Sequence, residues 1–150
     1  MFFFTNFEIM PSKSKVCFFF QGVKVSLTNR TILKKYIQSI FKNEGKKLDS
    51  INFIFCSDRA LLEINRKYLK HDFYTDIITF NLSETEAIKA EIYISIDRVR
   101  ENSLELGASF KSELIRVIFH GVLHLCGYND KSKKDQLEIR TKEDFYLSLF

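Results

Sequence analysis

Apolar positions along the chain switch between a period of two and a period of about 3.6, and the switches mark out the elements. Val16 to Phe20 is a short apolar run suited to a first strand, with Gly22 permitting a turn after it. From Thr28 or Asn29 as cap, Ile32, Leu33, Tyr36, Ile37, Ile40 and Phe41 recur at helical spacing until Asn43 to Gly45. Ile51, Phe53 and Phe55 alternate with Asn52 and Ile54 in a second strand. Ser57 or Asp58 then caps a helix carrying Leu61, Leu62, Ile64 and Tyr68. Lys70 to Thr75 has no period and reads as a loop. Asp76 to Phe80 and Glu91 to Ile96 are the next two strands, joined across Ser83 to Lys89. A helix from Asp97 to Leu106 ends at Gly107, a second runs from Ser109 to Cys126, and a third, amphipathic through Leu137, Ile139, Phe145 and Leu149, covers 132–148. The order β-α-β-α-β-β-α-α-α predicts a small mixed sheet with helices packed on it.

The helix from Ser109 to Cys126 also carries chemistry. His120 and His124 stand four residues apart and therefore share one helix face, which aims both imidazoles at a single point. Gly127 breaks the helix, and Asp130 is the next strong ligand group able to return to that point, giving the spacing His-x3-His-x5-Asp. Such a pair also occurs as two ordinary polar residues. Here Val117, Ile118, Phe119, Val122, Leu123 and Leu125 surround it, so the helix should be buried, and burying two imidazoles is costly unless something pairs with both. A metal ion would. The residue after His120 is Gly121, where metalloproteases of the His-Glu-x-x-His type carry their general base, so that chemistry is disfavoured.

Length and composition narrow the setting without naming a substrate. The 150 residues fit one domain, and 45% apolar content with sixteen Phe and no Trp points to a Phe, Ile and Leu core. Residues 1–13 differ in character and read as a poorly ordered extension, with Met10 an alternative start. A formal charge of +4 permits a polyanionic partner but does not establish one. Lys131, Lys133 and Lys134 form one of three lysine clusters, and clusters of this kind are commonly solvated surface. Cys17, Cys56 and Cys126 are scattered among apolar neighbours and read as buried thiols in a reducing compartment. The amino end lacks a basic stretch, no run is long enough to span a bilayer, and the expected location is the cytoplasm.

The run His-Gly-Val-Leu-His-Leu-Cys-Gly-Tyr-Asn-Asp from His120 to Asp130 resembles the signature of the YbeY family of metal-dependent endoribonucleases, His-Gly-x-Leu-His-Leu-x-Gly-Tyr-Asp-His. The departures are Asn129 for the family's Asp and Asp130 for its third His. Ile64 to Phe80 is similar to the family's Asn-x-x-Tyr-Arg-x-x-Asp-x-x-Thr-Asp-Val-Leu-Ser-Phe block, with Leu69 where many members carry Arg. Glu91 to Ser95 resembles its Gly-Asp-Ile-x-Ile-Ser strand. The resemblance implies a zincin-like α+β fold, here with a small mixed four-stranded sheet. It also implies one divalent ion, usually taken as zinc, and a role in maturing ribosomal RNA and checking ribosome assembly.

Three readings follow. The first is a metal-dependent single-strand endoribonuclease with ribosomal RNA or the small ribosomal subunit as partner. His120, His124 and Asp130 would hold the ion, and Asp72 or Asp76 is the candidate proton acceptor, although Asp76 also fits a purely structural role at the turn into its strand. A His2Asp set accepts zinc and also suits iron, manganese or nickel. The second reading is a non-catalytic assembly factor stabilised by a structural metal, with Leu69 marking lost activity. The third, a hydrolase of small amides or peptides, requires a closed neutral pocket, whereas RNA cleavage requires an open groove with basic groups. His71 reads as a surface residue, and Thr75 and Ser95 as hydroxyls able to bond a phosphate.

Overall fold

The computed structural model describes residues 14–150. The segment 1–13, expected to be an extension, lies outside the described residues. Strands β1 (Val16–Phe20), β2 (Leu48–Cys56), β3 (Ile77–Asn81) and β4 (Ile88–Ser95) form one sheet in the order β1-β2-β4-β3. The first, second and fourth strands run parallel, and β3 lies antiparallel to β4 at the edge. The helices are α1 (Arg30–Asn43), α2 (Asp58–Ile64), α3 (Ile96–Glu105), α4 (Phe110–Leu125) and α5 (Lys133–Leu149). This is the mixed α+β sheet and the element order expected from the sequence.

Side chains alternate across the central strands, and both faces are covered. Ile51, Phe53 and Phe55 of β2, with Ile92 and Ile94 of β4, join the large core with Leu33, Ile37 and Ile40 of α1 and Val117, Ile118 and Val122 of α4. Ile54, Cys56 and Tyr93 face the other way, against Leu61 and Ile64 of α2. That is why β2 and β4 contain near-continuous apolar runs. Burial pushes the Cys56 and Cys126 thiols up to about 12, Asp97 and Asp58 adding to the effect at Cys56 and Glu44 at Cys126. Cys17 is only half-buried.

Three local details differ from the pattern-based expectation. Asn29 sits in the left-handed region with φ 54° and makes no side-chain cap, a conformation Asn tolerates better than most residues. The helix expected to reach Tyr68 does so, but its last turn, Asn65–Leu69, is π-helical. Helix α5 buries Ile139, Glu143 and Tyr146, while Leu137, Phe145 and Leu149 are exposed. Spacing of four and three residues puts the buried trio on one stripe. A glutamate in that stripe disguised the inward face.

Candidate metal centre

Helix α4 is the buried spine of the molecule and carries the two histidines on one face. Ser109 caps its start by accepting from the Ser112 amide, and Gly127, at φ 106°, lets the chain double back after Cys126. The helix lies close against the sheet at Gly121, where a Cβ would meet the Cδ1 atoms of both Ile77 and Ile92 at 2.8 Å. Any side chain there would have to displace both isoleucine termini.

The turn after Gly127 brings Asp130 back to the histidines. Its Oδ2 lies 3.4 Å from Nε2 of His124 and 3.7 Å from Nε2 of His120, and the two Nε2 atoms are 2.9 Å apart. These separations surround the roughly 3.3 Å edge of a tetrahedron whose ligands lie about 2.0–2.1 Å from a zinc ion.

The opposite ring nitrogens decide which protons are present. His124 Nδ1 lies 2.9 Å from the Tyr128 carbonyl oxygen, which can only accept, so this nitrogen carries the proton. His120 Nδ1 bonds Oε1 of Glu143, a buried carboxylate that also accepts from Arg116. Burial alone would raise the Glu143 carboxyl, but the His120 and Arg116 bonds outweigh it and hold it below its ordinary value. An ionised Glu143 can only accept, so Nδ1 of His120 donates to it. The two Nε2 atoms converge at 2.9 Å beside Asp130, and with Nδ1 of each ring engaged elsewhere it is these two nitrogens that a cation shared with Asp130 would take. The residues present fit a divalent ion.

A cavity of about 630 Å³ opens over this trio, lined on the far side by the loop before β3 and by β3 itself. Asp76 lines it, held by the Asn102 amide donating to its Oδ2 at 3.0 Å, and so does Lys131. Asp72 does not. It is exposed and pairs with Arg66, so the structure does not bring it together with the histidines. Thr75 and His71 also face the cavity, whereas Ser95 is fully buried, caps α3 by accepting from the Arg98 amide, and is not placed to meet a phosphate. Leu69 lines the cavity at the position where the related motif carries Arg.

Glu143 is the functional residue that sequence reasoning missed. Its signal was the placement between Ile139 and Tyr146 at helical spacing, which puts it on the buried stripe of α5.

The family model described as Endoribonuclease YbeY matches residues 20–150. A relative from Flavobacterium psychrophilum, named Endoribonuclease YbeY, is 47% identical over 85% of this chain and 91% of its own length. One of the same name from Cytophaga hutchinsonii is 45% identical over 91% of this chain and 97% of its own. A solution structure of a Thermotoga maritima protein is similar with a TM-score of 0.61 and 29% identity, covering 88% of this chain and 86% of that one. With the match spanning the helix of the two histidines, the loop before β3 and the sheet between them, the chain belongs to the endoribonuclease YbeY family.

Proposed function

We propose that the chain is a metal-dependent single-strand endoribonuclease of the cytoplasm, acting on ribosomal RNA in its maturation and in ribosome quality control. The observation that carries the reading is the convergence of the two Nε2 atoms beside Asp130 at the floor of an accessible cavity. His120, His124 and Asp130 would hold one divalent ion, with zinc the first choice for this donor set. Such an ion supplies Lewis acidity toward a phosphodiester and lowers the pKa of water at neutral pH.

The chain's own groups do the rest. Glu143 and the Tyr128 carbonyl keep both rings in the ligating tautomer. Lys131 places a positive charge on the cavity wall, where a phosphate would lie. Asp76 is the carboxylate on that wall and is the proposed proton acceptor, fixed in orientation by Asn102. The exposed edges of the cavity suit a long single strand better than the closed neutral pocket that a small amide would need.

The test is cleavage of an end-labelled single-stranded RNA by the purified protein. Internal cuts that vanish with chelator, return with added zinc or manganese, and are absent in His124→Ala are the expected result. Metal-loaded protein that binds RNA and never cuts it would overturn the enzymatic reading in favour of an assembly factor with a structural metal.

A further inference from the structure

The end of the π-helical turn and the loop from it to β3 leave three large apolar side chains in solvent within a few residues, Leu69, Phe73 and Tyr74. Single exposed apolar residues are ordinary, but a cluster at the mouth of a site is a contact surface. Phe73 is 56% exposed, and its ring stacks on that of His71 with centroids 5.1 Å apart and planes at 20°. Both rings line the same cavity as His120, His124 and Asp130. Tyr74 is different, because the Arg98 guanidinium already lies over its ring at 4.7 Å.

The stack is held in place. The side-chain amide of Asn65, a buried residue, donates to the Phe73 carbonyl at 2.8 Å, and the His71 amide donates to the Asn65 carbonyl at 3.2 Å. Asp72, between the two in sequence, pairs with Arg66. A near-parallel pair of rings fixed at the edge of a cavity is pre-organised to extend by one more flat ring, with little ordering left to do on binding. Lys131 lines the same cavity and supplies a cation for the phosphate attached to such a ring. Flat ring and anion together describe a nucleotide rather than an apolar peptide.

We propose that the His71–Phe73 stack is a platform for one unpaired nucleobase of the RNA strand, next to the metal centre. The proposal rests on the ribonuclease reading and adds what that reading lacks, a source of preference for single strands. A base inside a duplex has both faces covered and cannot join the stack, whereas every unpaired base offers a face regardless of sequence.

The test compares two single-stranded oligoribonucleotides that differ only in carrying an abasic nucleotide at scanned positions. Affinities are measured on the full chain in chelator, so that no cutting intervenes, for the wild type, Phe73→Ala and Phe73→Trp. Metal uptake and thermal unfolding of each variant are recorded alongside. At one position the abasic strand should bind the wild type more weakly by roughly five- to a hundredfold. Phe73→Ala should bind both strands alike, and Phe73→Trp should restore the difference. A wild type indifferent to the missing base at every position, or a Phe73→Ala variant that still discriminates, overturns the platform; indifference is the result expected if the patch serves a protein partner. Metal-dependent cleavage persisting in that case leaves the ribonuclease reading intact, whereas a wild type that neither binds nor cuts RNA overturns both.

Discussion

Glu143 holds the site together from behind. Its Oε1 accepts from Nδ1 of His120 and its Oε2 accepts from Arg116, whose guanidinium also reaches the buried Glu113. Such outer partners raise the basicity of a ligand imidazole and fix its orientation. Glu143→Ala should weaken metal binding by roughly 10- to 100-fold, read by competition with a coloured chelator. Glu143→Gln should lose less, because its amide oxygen still accepts from Nδ1. Equal losses in the two variants would show that the carboxylate charge, not the hydrogen bond, is what matters. The convergence of His120, His124 and Asp130 was legible from sequence, since a helical spacing of four converts directly into a shared face and Gly127 supplies the return of the chain. Glu143 was not, because a glutamate on a helix ordinarily faces water and only its tertiary partners make it an interior residue. Asp72 failed for the opposite reason: proximity in sequence to Asp76 said nothing about which way each side chain leaves the loop.

At the level of elements, the end of α1 and helix α5 together brace the loop that returns Asp130. Glu44, just beyond α1, accepts from Tyr128 at 2.8 Å, from Lys142 at 3.0 Å and from Tyr146. Burial would raise this carboxyl, but the bonds from Tyr146, Tyr128 and Lys142 outweigh it and hold it below its ordinary 4.5. Because the folded state binds that proton less readily than the unfolded chain, the brace contributes fully above about pH 4.5 and is lost as pH falls through the lowered folded value. Urea unfolding of chelated wild type and Glu44→Gln should therefore differ by about 1–3 kcal/mol at pH 6 and converge in acid. A difference independent of pH would show that the carboxylate charge is not the source. Gly121 governs the seat of α4 on the sheet, and Gly121→Ala should lower stability by about 1–3 kcal/mol through overpacking against Ile77 and Ile92. Unchanged unfolding in urea would mean that these two side chains simply turn away. Element order was readable because each strand and helix has its own period, but the inward face of α5 was not, since Leu137 and Leu149 outscored the true stripe in apolarity while remaining exposed.

For the whole molecule, sequence gave a mixed sheet of four strands but not its order, because which strand sits between which depends on contacts far apart along the chain. β4 lies between β2 and β3, and that placement sets the cavity wall of β3 opposite the histidines. With a net charge of +4 and Lys131 on the cavity wall, the proposed binding of RNA should release counterions, so log affinity for single-stranded RNA should fall linearly with log salt. Affinity flat between low and moderate salt would assign the lysines to solvated surface. No helix among the described residues is long and apolar enough to cross a membrane. The central claim is that His120, His124 and Asp130 form one ion site, and elemental analysis of protein purified without chelator tests it most directly. The wild type and Asp130→His should each carry about one divalent ion per chain, and Asp130→Ala should lose most of it under the same dialysis. A metal-free wild type that takes up no added zinc, manganese or nickel would contradict the account, as would Asp130→Ala with undiminished metal.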